Sequence, residues 1–143
     1  MPGPCWSSSI ERGRHSVSEV LEGRRRERAR LIEAARSHVI RLKGTLPLIA
    51  AAVVGSVARG DFNAWSDVDV VVVAESLPER IPDRSGLLAT DAPGGVQTVG
   101  FTVEEFELAW RKGNPLAREA TDAGVVLMGE AFLRTPRSGR SPT

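Results

Sequence analysis

Two short apolar runs limit the fold of this chain more than any other feature. Residues 48–54 read LIAAAVV and residues 67–73 read DVDVVVV. Both have strand length, and the second is dominated by β-branched valines, whose crowded Cβ packs well on a pleated surface. The first is apolar throughout and stops at Gly55, the pattern of a strand buried on both faces. Helices must then flank the sheet, and the expected class is α/β.

The 143 residues suffice for one domain with a real core and are too few for two. With 41% hydrophobic and 26% charged residues the chain is neither wholly disordered nor fibrous. Cys5 is the single cysteine, which excludes an internal disulfide framework and a cysteine zinc cluster and suits a reducing compartment. The longest apolar run, residues 46–54, falls well short of the ~20 residues that span a bilayer. The opening MPGPCWSSSI lacks the basic stretch and apolar core of a secretory signal. The expectation is a cytoplasmic protein that does not engage a membrane.

The formal net charge of +1 is unevenly spread, at +5 over residues 1–43, −7 over 44–133 and +3 over 134–143. An acidic middle argues against a general nucleic-acid-binding domain, while leaving a nucleic acid open as an acceptor. It suits a site that holds metal ions through carboxylates. Residues 1–16 and 134–143 are rich in Pro, Gly, Ser and Arg without an apolar period, so both are expected to be mobile tails around one domain at 17–133.

Within that domain, Ser18 is expected to cap a helix that runs to about Lys43, with Leu21, Arg28, Ile32, Ala35, Val39 and Leu42 on one stripe. Its arginine-crowded stretch 24–30 is expected to be a solvated face with Glu partners three or four residues away. Residues 56–61 read as a tight turn with one helical turn, and 75–95, with three prolines and three glycines, as a long connection. A strand at 96–102 leads into a helix at 103–111, where Thr102 and Glu105 form a capping box. A further helix begins at Pro115 and ends near Gly124, and residues 125–128 make a short last strand.

The chemistry concentrates between the two apolar runs. A buried strand that turns sharply through Gly55-Ser56 exposes consecutive N–H groups and a hydroxyl, an arrangement that receives phosphate oxygens. Asp67 and Asp69 stand two apart on a strand, so both side chains leave the same face. Magnesium is commonly held by one or two carboxylates together with substrate phosphates. Each signal alone is weak, but a gap of ten residues between Ser56 and Asp67, with an apolar strand on each side, makes the combination specific.

At these residues the chain resembles the nucleotidyltransferase superfamily with a DNA polymerase β-like palm, in particular its small stand-alone members, the minimal nucleotidyltransferases. The hallmark Gly-Ser and Asp-x-Asp is matched by Gly55, Ser56, Asp67 and Asp69, and Ala58-Arg59-Gly60 and Ser66-Asp67 also look like the small members. The likeness continues weakly through residues 102–106, 113–115 and 124–127, so it covers 46–130, with the basic N-terminal helix outside it. The resemblance implies a polymerase β-like palm, a mixed sheet of about four strands flanked by helices. It further implies transfer of a nucleoside monophosphate, AMP from ATP in the expected case, to a protein or other macromolecular acceptor, with release of pyrophosphate. Gly55, Ser56, Arg59 and Ser66 would bind the nucleotide, and Asp67 and Asp69 would hold one or two Mg2+ ions. Small members often pair with a helical HEPN protein as antitoxin to toxin, so such a partner is expected, with a homo-oligomer as the other possibility.

The family usually places a third carboxylate on a later strand, and here that position falls at Gln97, whose neutral amide ligates magnesium less strongly and cannot serve as a base. This motivates the alternative reading of a catalytically degenerate module that binds nucleotide or a partner; Asp91 is a possible substitute. Trp65 is expected to anchor a loop, Phe106 and Trp110 to fill the core, and Glu104 and Glu105 to charge a helix start. His15 and His38 receive no role.

Overall fold

The structure, a computed structural model, describes residues 3–60 and 67–137, with side chains from residue 17 onward. Its strands are β1 (Leu48–Val54), β2 (Val68–Ala74), β3 (Val96–Thr102) and β4 (Val125–Met128). They form one sheet in the order β3-β2-β1-β4. β1 runs antiparallel to β2 and β4, and β2 parallel to β3, so the sheet is mixed as expected. The helices are α1 (Gly3–Lys43), α2 (Ser56–Arg59), α3 (Ile81–Ala89), α4 (Val103–Arg111), α5 (Pro115–Asp122) and α6 (Glu130–Arg134).

Both faces of the sheet are covered, and alternate strand residues serve the two sides. Ala51, Val53, Val68, Val70 and Val72 meet Ile32, Ala35, Val39 and Leu42 of α1 together with Val57 of α2 and Leu88 of α3. Ala50, Ala52, Val54, Val71 and Val73 meet Phe106 and Trp110 of α4, Ala117 and Ala120 of α5, and Leu133 of α6. The predicted stripe of α1 is thus buried from Ile32 onward, at alternating steps of three and four. Phe106 and Trp110 are core residues, as their spacing suggests.

The chain divides into two units, residues 1–30 and 31–143. In the first, α1 already starts at Gly3, so Ser18 lies inside the helix instead of capping it. Residues 3–16, expected outside the ordered domain, are helical because Pro4, which would break a helix interior, sits in the first turn, where a missing N–H is harmless. Arg25 pairs with Glu22 at 3.7 Å and Arg30 with Glu27, the solvated ladder expected of the arginine-rich stretch. Val17, Val20 and Leu21 are exposed.

Three further differences are informative. The connection expected over residues 75–95 contains α3, because Pro82 sits within its first turn and Gly86 is too weak a breaker to stop it. The fully buried side chain of Leu88 closes this helix onto Gly100, where an added Cβ would lie 2.7 Å from Leu88 Cδ1. His38 takes a structural role, for its buried Nε2–H donates to the Leu88 carbonyl at 2.8 Å and satisfies an orphan acceptor of the last turn of α3. Finally, residues 134–137, assigned to a tail by composition, are packed. The Arg137 guanidinium lies over Phe132 at 4.8 Å and donates to Glu107 at 3.0 Å.

The capping box of α4 is present as expected, and Glu105 does more than charge a helix start. It also receives Arg84 through two hydrogen bonds, at 2.7 and 3.2 Å. The Arg84 hydrogen bond holds the Glu105 carboxyl below its ordinary value, with partial burial opposing and the Thr102 backbone assisting. A depressed carboxylate stabilises the fold fully above the range where it titrates unfolded, and that contribution is lost as pH falls through the lower folded value. Urea titrations should therefore show Glu105→Gln less stable than wild type at neutral pH by about 1 kcal/mol, a figure kept small because Glu105 is half exposed. The gap should close in acid; a gap independent of pH would contradict the assignment.

Candidate active site

The site forms where β1 ends and β2 begins. Antiparallel pairing sets Val54 opposite Asp69, and parallel pairing sets Asp69 opposite Gln97. Gly55 therefore leaves β1 beside the carboxylates. Asp67 precedes β2 and is exposed, Asp69 is its second residue and half-buried, and Val68 and Val70 between and beyond them are core. Alternation along β2 sets Asp69 on the face opposite Val68 and Val70, and Asp67, expected within the strand, stands one residue before it.

Gly55 has φ 82° and ψ −157°, a conformation essentially confined to glycine. A Cβ there would lie 2.7 Å from Asp69 Oδ2, so the absence of a side chain is what leaves that carboxylate oxygen accessible. Ser56 follows as the first residue of α2, and Arg59 closes this single turn. Gln97 Nε2 donates to Asp67 Oδ2 at 2.8 Å, which makes the residue at the expected third acidic position an amide clamp on the first aspartate. Asp91 is not brought to the pair: it sits in the turn after α3, where its carbonyl accepts from Arg41 of α1. Ser66 and Trp65 lie outside the described residues.

A further acid, unremarked in the sequence, reaches the site from α5. Glu119 Oε2 accepts the Gly55 N–H at 3.0 Å, and Arg59 Nη1 stands 3.3 Å from the same oxygen. Its helix is fixed in place by the Asn114 side chain, which accepts from the N–H groups of Leu116 and Ala117, and by Trp110 Nε1, which donates to Thr121 Oγ1 at 3.1 Å. Sequence offered no signal for Glu119, because an acid on a short amphipathic helix is ordinarily solvated.

Burial raises the Asp69 carboxyl above its ordinary value, the charges of Asp67 and Glu119 add to the rise, and Arg59 works in the opposite direction. Crowded carboxylates of this kind are relieved by a divalent cation, and hard oxygen donors suit magnesium. Asp67 and Asp69 fit that ion with Gly55 leaving room at Asp69 Oδ2. Among the described residues no three His, Cys, Asp or Glu side chains converge to hold a metal, and a magnesium ion on one or two carboxylates ordinarily takes its remaining ligands from water and substrate phosphates. Two grooves of about 700 and 590 Å³ flank Arg84 and Glu105 at the opposite ends of β2 and β3, away from Gly55, Asp67, Asp69 and Glu119. Among the described residues, no helix is long and apolar enough to cross a membrane.

The curated proteins contain no match to this chain. The fold is similar to the crystal structure of a candidate nucleotidyltransferase from Sulfolobus solfataricus, with TM-score 0.55 and 21% identity over 72% of this chain and 84% of that one. Residues 35–115 match the nucleotidyltransferase domain family. That span exceeds half of the chain and includes Gly55, Ser56, Asp67, Asp69 and Gln97, the residues whose geometry has just been described. The chain belongs to the nucleotidyltransferase domain family.

Proposed function

We propose that this chain transfers AMP from ATP to a hydroxyl of a macromolecular acceptor. The observation that carries this reading is the acid pair at the start of β2, Asp67 just before the strand and Asp69 within it, beside a glycine where any Cβ would lie 2.7 Å from Asp69 Oδ2. The acceptor oxygen forms a bond to the α-phosphorus, the bond from that phosphorus to the bridging oxygen breaks, pyrophosphate leaves and the hydroxyl proton passes to solvent. Magnesium, when bound, neutralises phosphate charge and aligns the attacking oxygen. Asp67 and Asp69 would hold it, and Gly55 and Ser56 would cradle the phosphates, with Ser66 assigned to the same task by its place in the motif. Arg59 supplies a guanidinium to the phosphate oxygens.

The proposed acceptor is a tyrosine of a helical HEPN-type partner, with this chain as its antitoxin in the cytoplasm. Exposed Val17, Val20 and Leu21 on the first helical unit suit cover by a partner chain, or by a second copy of this one. A second reading, a degenerate module that binds nucleotide without transferring it, is favoured by the neutral Gln97 clamp on Asp67.

The test is incubation with α-phosphate-labelled ATP and magnesium in a lysate of the source organism. A discrete labelled protein band that disappears when EDTA replaces magnesium is expected. Saturable ATP binding with no label in any protein or RNA would replace transfer by the second reading.

A further inference from the structure

The two groups best placed to receive a phosphate already have an anion on them. The Gly55 N–H donates to Glu119 Oε2 at 3.0 Å, and Arg59 Nη1 approaches both Glu119 oxygens, at 3.4 and 3.3 Å. The Glu119 side chain is 19% exposed and comes from α5, the layer that packs on the same sheet face as Asp69. A carboxylate and a phosphate oxygen brought to the same N–H repel one another as like charges, so the two compete for it. Three carboxylates beside this turn also form a field that repels a triphosphate.

We propose that Glu119 is a positioning residue that stands in for a phosphate while the site is without nucleotide. It keeps the Gly55 peptide and Arg59 oriented, and an arriving nucleotide must displace it. Glu119 therefore sets nucleotide affinity, weakening it in exchange for a cradle that is formed before the ligand arrives. This inference rests on the nucleotide reading above and adds to it a residue, a direction and a sign. A side chain that merely braced α5 against β1 would carry the opposite sign, because its loss would loosen the cradle and weaken binding.

The experiment is an isotherm for ATP with magnesium, measured by calorimetry on wild type and on Glu119→Gln, whose amide oxygen still accepts the Gly55 N–H while its charge is gone. Glu119→Gln should bind ATP about tenfold tighter, the size of one charge-assisted hydrogen bond no longer in competition. Adenosine, which has no phosphate, should bind both proteins equally. In an Arg59→Ala background the gain should shrink, because one of the two groups being contested is absent. A Glu119→Gln protein with native circular dichroism that binds ATP equally or more weakly overturns the proposal and leaves the nucleotide reading standing. Absence of ATP binding by wild type and by every variant overturns both. Binding only after the substitution supports it, with the resident carboxylate as the dominant barrier.

Discussion

Asp69→Asn is expected to lower nucleotidyl transfer by about a thousandfold or more, while the protein stays folded and melts at the same temperature as wild type or higher. The loss follows from the place of Asp69, opposite Gln97 in the register and close against the Gly55 turn. A metal ion supplies several kcal/mol of transition-state charge stabilisation, and about 4 kcal/mol corresponds to a thousandfold in rate. Gln97 cannot compensate, since its amide oxygen carries no charge and ligates a cation less strongly than a carboxylate. The stability expectation has the opposite sign for the same reason. Burial and the neighbouring charges of Asp67 and Glu119 make the ionised form of Asp69 unfavourable in the fold. Removing that charge therefore relieves the structure while it disables the site, a trade that functional carboxylates commonly impose. Thermal melts alongside the label-transfer assay check both halves; a variant that keeps more than a tenth of wild-type transfer would remove Asp69 from the proposed chemistry.

What could be read in the sequence was whatever local chemistry writes down. The β1, β3 and β4 runs, the Thr102 capping box and the Asn114-Pro115 start of α5 all depend on neighbours within a few residues, and each is where the pattern places it. The Gly55, Ser56, Asp67, Asp69 constellation was legible because a strand alternates its side chains and a glycine marks a turn. The resemblance put Gln97 at the third acidic position, on a later strand, and its register against Asp69 is what the sheet adds. Three features resisted, all decided by distant partners. α3 looked like a connection because its prolines and glycines obscure it, whereas buried Leu88 and the donor from His38 hold it in place. Arg137 looked like tail because nothing near it in sequence reveals the rings of Phe106 and Phe132 beneath it. Glu119 lies 64 residues from the glycine whose N–H it accepts, and no helical pattern distinguishes it from a surface acid. Function in this chain is therefore half legible: the residues that would hold the ion and the phosphates are written in one stretch, and the residue that opposes the phosphates comes from elsewhere.

Gly55→Ala is expected to be the most damaging single-methyl change at the site, costing about 3 kcal/mol of stability and abolishing measurable nucleotide binding. Two effects combine. An alanine at φ 82° and ψ −157° occupies a region that costs about 1–3 kcal/mol for a residue with a Cβ. That Cβ also lies 2.7 Å from Asp69 Oδ2, closer than real Cβ contacts run, so either the carboxylate or the turn must move. A shift of the turn would carry the Gly55 N–H away from Glu119 and misdirect Ser56 and Arg59; a shift of the carboxylate would close the opening above β2. Either way the phosphates and the carboxylate pair no longer face one another. Gly60→Ala is the internal control, because Gly60 also has a positive φ, 85°, but a Cβ there meets nothing within 4 Å among the described residues. It should cost only the backbone strain of a left-handed residue, about 1 kcal/mol. The two variants should therefore separate in melting temperature, with Gly55→Ala lower than wild type by about 10 °C. Separation in ATP binding should be larger still, with Gly60→Ala binding and Gly55→Ala not. Equal behaviour would mean that the close approach of Gly55 to Asp69 has no part in the site, and the two halves of the constellation would have to be treated as unconnected.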